Sequence, residues 1–443
     1  MRFDMTRNKY IFLLALISSL SLAFYVPHYG LIYDGGLYAS LGYSLITGNG
    51  YYFNGYPGDV PPMLPMFLAL AIGIFGENGI FLVVPIFSIL LTIICFLIFE
   101  KKFSLEMSFL GALYVFFTPT IFYDSVNVIR EIPLLFFVMT SYLVYFWKND
   151  SYKKHVLLGI LIAMSFLTKS VGIIYTFPIF FSYLTTLNKK LIVSFLTTTV
   201  IVSPWFIWNY LNFGEFFISH SAYLLPEMGS GTLGFFTRTL PLFIITSFPL
   251  MIITAILGIK KSEKIFWGFG LLVLLSSFLW PVQEVRYLLA GYFLLAYFAM
   301  TYLKDKKKFI GLSFLAIAVL FQFSATVSVL ETTVVSYGLL DEAGTWLREN
   351  TSEDSKVMTQ SFRQIHFFSH RLTYQIPQDP SLFKKTLERE KIEYVVIDSY
   401  EKTTPHYARD FFRDLTPLVT FEDPAGRVDI YRSPYYNESI IDK

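Results

Sequence analysis

Asp34 stands in the stretch HYGLIYDGGLYASLGYSLITGNGYY, ahead of a glycine pair and just past an apolar run. A carboxylate there admits two readings. As a helix cap, an Asp before a Gly-led helix satisfies exposed backbone N–H groups. As a general base, a partly desolvated carboxylate facing a hydroxyl makes that hydroxyl nucleophilic. A second set of ionisable residues follows: Asp124, Arg130 and Glu131 in TPTIFYDSVNVIREIPLLFF, Lys169 in FLTKSVG, Arg238, and Arg286 with Glu284 and Tyr287 in PVQEVRY. Arg130, Lys169, Arg238 and Arg286 are each expected near the start of an apolar helix. A helix N-terminus carries partial positive charge and unpaired N–H groups, so a cation there is disfavoured unless an anion joins it, and phosphate is a natural guest. The alternative is that these cations meet lipid headgroups. Glu131 likewise has a structural alternative, since Glu-Ile-Pro is a helix-start pattern.

The elements that must position these groups are apolar. Of 443 residues, 54% are hydrophobic, 19% aromatic and only 15% charged, with a mean hydropathy of +0.53. Ordinary soluble domains carry about 25% charged residues, and a compact domain cannot hide this much apolar surface from water. The chain reads as a polytopic α-helical membrane protein. Eleven apolar runs are candidate spans: 10–27, 79–99, 105–119, 132–147, 155–168, 171–187, 191–208, 236–257, 265–281, 287–303 and 309–330. If the N-terminus is cytoplasmic, 17 of the 21 Lys and Arg in residues 1–330 fall in inner segments, and only Arg130, Lys169, Arg238 and Arg286 fall outside. That bias predicts an inner N-terminus and an outer tail in a multi-pass plasma-membrane protein.

The first outer loop, 28–78, has no Lys or Arg. Leu37, Leu41 and Leu45 recur at helical spacing, as for a helix lying in the interface. Four prolines then precede a second short apolar helix, too short to span. Composition divides the chain into a membrane domain, 1–335, and a soluble domain, 336–443. In the latter the pattern predicts a small α/β fold: a helix at 340–350, strands at 356–360 and 391–398, a helix at 405–415 and a closing hairpin across Asp423-Pro424-Ala425-Gly426.

Several function classes are disfavoured. A net charge of +2 gives no case for nucleic acid. One cysteine, Cys95, excludes an intramolecular disulfide framework and a multi-Cys metal site. His28 and His220 lack close partners, so no metal site is expected. No phosphate-cradling Gly-rich fingerprint appears.

The chain resembles the GT-C superfamily of integral-membrane glycosyltransferases. More narrowly it resembles the protein mannosyltransferase, aminoarabinose-transferase and lipopolysaccharide galacturonosyltransferase-like branch. The matching stretches are YDGGLYASLGYSLITGNG, PPMLPMFLALAIGIFG, NVIREIPLLFF, GILIAMSFLTKSVGIIYTFP, SPWFIWNYLNFGEF, EVRYLLAGYFLLA and the tail opening DEAGTWLRENTSEDSKVMT. The resemblance implies a GT-C fold of about eleven spans with interfacial helices in the first outer loop. It implies a hexosyl- or pentosyltransferase using a polyprenyl- or dolichyl-phosphate-linked sugar as donor. The acceptor would be a hydroxyl on a glycan, lipid or protein at the outer face. The family's first-loop acid maps to Asp34 as catalytic base, inverting the anomeric centre. Arg286, Lys169 and Arg130 would bind the donor phosphate, with Glu131, Asp124 and Tyr287 in support. No cofactor is required, though metal use in some branches leaves a divalent cation open.

Two departures stand out. Gly35 follows Asp34 where many members have a second acid, and Trp208 precedes Asn209 where many have Arg. The tail lacks the WWDYG motif of oligosaccharyltransferases, which disfavours transfer of whole glycans to Asn. The competing class is a multi-pass transporter or lipid flippase. Internal repeats and mid-span ionisable groups would mark it, and neither is found in the sequence.

Overall fold

The protein is described here by a computed structural model covering residues 5–26, 30–186, 188–216, 231–280, 282–333, 338–399, 401, 403–424 and 426–436. His28 and His220 lie outside the described residues. The chain forms two compact units. The first comprises residues 1–24, 59–64 and 82–332, and the second comprises 25–58, 65–81 and 333–443. The division expected at 335/336 follows chain order, whereas packing groups most of the loop 28–78 with the tail.

The first unit is helical. Its elements are α1 (Met5–Tyr25), α4 (Ile80–Phe99), α5 (Leu105–Phe116), α6 (Pro119–Val126), α7 (Glu131–Tyr145), α8 (Tyr152–Thr168), α9 (Gly172–Thr185) and α10 (Leu191–Phe213). They continue with α11 (Thr232–Gly234), α12 (Leu240–Thr246), α13 (Pro249–Ile259), α14 (Lys264–Leu279), α15 (Leu289–Leu303) and α16 (Lys308–Thr333). Local chemistry sets several ends. Ser104 and Ser151 accept hydrogen bonds from backbone N–H groups at the starts of α5 and α8. Gly214 ends α10 in the left-handed conformation that Gly adopts without penalty. Helices α8 and α10 approach closely at Gly159, where a Cβ would lie 2.6 Å from the Ser194 carbonyl oxygen.

Each expected apolar run contains a helix, but the lengths differ. Among the described residues, four helices are long and apolar enough to cross a membrane, or up to six if each of two bent pairs is one span. Helices α7, α8, α9, α14 and α15 have 15, 17, 14, 16 and 15 residues. At 1.5 Å per residue these reach only ~21–26 Å, short of a ~30 Å hydrocarbon core. The run 236–257, expected as one span, is broken: α11–α12 and α13 meet at 93°. Pro249 opens α13, and Phe248 before it takes φ 56°. Proline removes the N–H that a continuous helix would need at that point.

The second unit contains α2 (Tyr33–Ile46), a two-residue-turn hairpin of β1 (Tyr52–Phe53) and β2 (Tyr56–Pro57), α3 (Met63–Phe75), and the tail. Asn54 and Gly55 form the turn with φ of 52° and 84°, as an Asn-Gly hairpin demands. In the tail, α17 (Gly338–Asn350), β3 (Lys356–Thr359), α18 (Phe362–Ser369), β4 (Leu372–Tyr374), α19 (Pro380–Arg389), β5 (Tyr394–Asp398), α20 (His406–Phe412), β6 (Val419–Asp423) and β7 (Gly426–Arg432) follow in order. The sheet runs β4-β3-β5-β7-β6, with β3 parallel to both neighbours and β7 antiparallel to both of its own. Alternate strand residues face opposite sides. Val357 and Val396 pack with Leu340, Leu347 and Ile365 of α17 and α18, while Met358 and Val395 pack with Phe383, Leu387 and Phe412 of α19 and α20.

Helix α2 departs from expectation. Leu37 and Leu41 do not face lipid; they are buried along with every residue from Gly35 to Gly42. An apolar stripe is read the same way whether protein or lipid covers it, and here α18 covers part of it. Gly36 permits the approach, since a Cβ there would lie 2.6 Å from the Arg363 backbone. Helix α3 instead leaves Met66, Leu70 and Ile74, one per turn, exposed.

Candidate functional site

Three of the four cations singled out in the sequence converge within the first unit. A cavity of about 560 Å³ is lined by Arg130, Glu131, Lys169, Arg286 and Tyr287, together with Asn209 and an apolar wall that includes Leu134, Phe166, Ile174, Trp205, Leu275 and Trp280. Each charged group arrives at a helix boundary. Arg130 is the residue before α7 and Glu131 its first. Lys169 ends α8 and stands three residues before α9, and Arg286 lies in the short 3-10 turn leading into α15.

Glu131 organises the group. Its Oε1 accepts a hydrogen bond from Lys169 Nζ at 2.8 Å and lies 3.9 Å from Arg286 Nε. Arg286 also pairs with Glu284. Lys169 Nζ sits 4.7 Å above the Tyr287 ring, and the Arg286 guanidinium is 5.7 Å from the same ring. Tyr175 donates to the Tyr287 carbonyl at 3.4 Å and fixes that strand of chain to α9. Three cations against Glu131 and Glu284 leave one formal positive charge in excess. The cavity thus joins a net-positive polar end to an apolar wall, the chemistry that suits an anionic headgroup carrying a hydrocarbon tail.

Two expected residues fall elsewhere. Asp124, on α6, is buried and does not line the cavity; its Oδ2 has no hydrogen-bond partner among the described residues. Arg238, expected at a helix start, lies within a π-helical segment between α11 and α12 and is exposed. Asn209 lines the cavity but Trp208 does not. Among the described residues no group of three or more His, Cys, Asp or Glu is placed to hold a metal ion.

Asp34 belongs to the second unit. It is the second residue of α2, whose N-cap is Ile32, so Asp34 is not the cap residue itself. Its Oδ1 accepts a hydrogen bond from Arg363 Nη1 at 3.0 Å, and a third of the Asp34 side chain remains exposed against a tenth of Arg363. The Arg363 guanidinium lies 4.2 Å from the Tyr33 ring centroid, a cation–π contact that holds it over the start of α2. Sequence reasoning missed Arg363. It sits in FRQIHFFS, a short helix without a strong local signal, and its partner is 329 residues away.

The β1–β2 hairpin is tied to the tail in the same unit. Asn54 donates to the Thr373 carbonyl and accepts from the Thr373 N–H, so its amide pairs like a strand residue with edge strand β4. An exposed edge is thereby covered.

Comparisons with known proteins accord with this architecture. Residues 59–208 match the family model described as dolichyl-phosphate-mannose-protein mannosyltransferase. No curated protein matches the chain in sequence. Among solved structures, ArnT from Cupriavidus metallidurans bound to undecaprenyl phosphate superposes with a TM-score of 0.72 at 13% identity, covering 97% of this chain and 99% of that one. The Archaeoglobus fulgidus oligosaccharyltransferase in its apo form gives 0.65 at 14% identity, over 89% of this chain and 70% of that one. The same organism's AglB, in complex with an inhibitory peptide and a dolichol-phosphate, gives 0.66 at 13% identity, over 90% and 70%.

Proposed function

We propose that the chain is a glycosyltransferase of the GT-C kind, moving a sugar from a polyprenyl- or dolichyl-phosphate carrier to an acceptor hydroxyl. The observation that carries this reading is the cavity of the first unit, where Arg130, Lys169 and Arg286 meet an apolar wall. A lipid-linked sugar phosphate has the matching halves. That structures of similar fold were obtained with undecaprenyl phosphate and dolichol-phosphate supports the same class of ligand.

In the proposed step Asp34 accepts the proton of the acceptor hydroxyl as its oxygen attacks C1 of the donor sugar. An acceptor hydroxyl is a poor nucleophile at neutral pH, and a positioned carboxylate base contributes typically ~10²–10⁴-fold. The bond between C1 and the phosphate oxygen breaks, the lipid phosphate departs with the electron pair, and the anomeric centre inverts. Negative charge grows on the leaving phosphate. Arg286, Lys169 and Arg130 are preorganised to stabilise it, which is the electrostatic component of catalysis. Glu131 holds Lys169 and Arg286 in place, and Tyr287 shields both. We place the N-terminus in the cytoplasm and the tail outside a plasma membrane, from the basic bias of alternate loops. The acceptor is a glycan, lipid or protein.

The test compares ligands that differ only at the headgroup. Purified chain in nanodiscs is heated with polyprenyl phosphate or with the corresponding polyprenol. The phosphate should raise Tm and the alcohol should not. Equal stabilisation by both would remove the anion site from the account.

A further inference from the structure

The second unit holds another cavity, about 530 Å³, lined on one side by α2 and the β1–β2 hairpin and on the other by the end of α18. Six residues give it its chemistry: Ser40, Tyr43, Ser44, Tyr52, His366 and His370. Ser40 Oγ is buried and has no hydrogen-bond partner among the described residues. A buried hydroxyl left unpaired costs about 1–3 kcal/mol, so a polar guest has something to gain there. His366 donates from Nδ1 to the Arg371 carbonyl at 2.7 Å, which leaves Nε2 as an acceptor. Burial pushes its pKa down to about 4, so the ring stays neutral at physiological pH. Tyr43 and His370 stack at 4.2 Å and form a flat wall, and Tyr52 is exposed at the rim.

The lining decides the chemical class. Among the described residues it contains hydroxyls, amides, imidazoles and aromatic rings, and no Lys, Arg, Asp or Glu. Behind His370, Arg348 and Glu77 pair at 2.8 Å and offset one another. An anion or a cation would find no opposite charge. A neutral polyhydroxyl ligand would find donors, acceptors and aromatic faces together.

Position gives the groove a role. Asp34 and Arg363 meet at the start of α2 and α18, while Ser40, Ser44, His366 and His370 lie further along the same two helices. At 1.5 Å per residue, Ser40 and Ser44 stand ~9 and ~15 Å along the axis from Asp34. A ligand in the groove is therefore remote from the carboxylate yet on the same rigid helix pair. We propose that this groove is a saccharide subsite, taking an uncharged sugar unit of the acceptor at a distance from the hydroxyl that reacts. Binding energy from such remote units is what orients a reacting group. The acceptor role rests on the glycosyl-transfer reading, whereas saccharide binding itself does not.

The experiment is saturation-transfer NMR on the full chain in nanodiscs. The probes are the methyl glycosides of mannose, glucose, galactose and N-acetylglucosamine, with lactose, at millimolar concentration. Glucose 6-phosphate and inorganic phosphate are the anionic comparisons. At least one neutral saccharide should bind. Ser44→Trp should abolish that signal by filling the groove. Ser40→Ala, which removes one hydroxyl without adding bulk, should weaken binding roughly threefold to tenfold. Absence of binding by every neutral probe, preference for the anionic probes, or binding unaffected by both variants would overturn the proposal. If Ser44→Trp does not fold, Ser40→Ala alone decides. Saccharide binding without any sugar transfer from a lipid phosphate would defeat only the transferase reading. Stabilisation by polyprenyl phosphate without groove binding would defeat only this one.

Discussion

The cavity of the first unit and the Asp34–Arg363 pair of the second acquire their charged groups by different routes. In the cavity, each cation comes from its own helix boundary, and a single acid, Glu131, gathers two of them. In the second unit, one carboxylate near a helix start meets one guanidinium delivered by a helix 329 residues later. The first arrangement needs several local rules satisfied at once. The second needs the tail to fold before Asp34 has its partner. The difference teaches that a tail read from composition as a separate soluble domain holds the principal acid of the long loop 28–78.

The most damaging change to this contrast is at Asp34. Asp34→Asn keeps shape and removes the basic carboxylate. Turnover at saturating donor should fall by about 10²–10⁴, with donor affinity and folding retained. A rate within a few-fold of the wild type would reduce Asp34 to a structural partner of Arg363 and make Glu131 or Asp124 the next candidate.

On the cavity side, Arg286→Ala removes one of the cations proposed to meet the donor phosphate. Loss of a charge-assisted hydrogen bond, ~1.5–3 kcal/mol, lowers donor affinity roughly tenfold to a hundredfold. Acceptor affinity should not follow. Donor binding measured by titration and found unchanged would take Arg286 out of the phosphate site.

Arg363→Gln sharpens the comparison from the tail side. The rate should drop roughly tenfold, the scale of one such bond, while donor affinity stays put. Arg363→Lys should recover part of the loss, because it restores the charge beside Asp34. Equal loss in both variants, accompanied by a matching fall in Tm, would point to packing against Tyr33 and Gly36 alone.

The smallest effect is a pH dependence confined to the second unit. The unfolded chain binds a proton at His366 near pH 6.5, and the folded chain only near pH 4 because the ring is buried. Between those values the unfolded state holds more protons, so stability is full above about pH 6.5 and declines as pH falls toward 4. His366→Gln should flatten that part of a Tm-against-pH curve. A wild-type curve already flat from pH 7 to 4 would contradict the buried neutral ring.

The same contrast explains what the sequence made legible. Apolar runs revealed the helices, and Pro and Gly revealed many of their ends, because those signals are local. Arg130, Glu131, Lys169, Arg286 and Tyr287 were recognisable by type and by their place beside helix starts, and they do share one cavity. The strands expected at 356–360 and, from its apolar run, at 391–398 contain β3 and β5, and the expected closing hairpin is β6–β7. Three elements of the tail were not read: α18, β4 and α19. The first two are short, and FRQIHFFS mixes polar and aromatic residues in a way that fits several conformations. The Asn54-Gly55 hairpin was a missed signal, for the dipeptide is there to be seen. The partnership of Asp34 with Arg363 had no local trace at all. Nor did the burial of Leu37 and Leu41, since the spacing is identical for a lipid-facing stripe.

Central to the account is transfer from a lipid-phosphate sugar with inversion, and the direct measurement is the product's anomeric configuration. Full-length chain in nanodiscs is given a polyprenyl-phosphate-linked sugar of known configuration together with envelope lipid and glycan acceptors. Products are read by mass spectrometry and NMR. The account predicts free polyprenyl phosphate in equal amount to a glycoside of opposite configuration, with both absent in Asp34→Asn on the same timescale. A product of retained configuration, or intact lipid-linked sugar that merely changes leaflet, would contradict it.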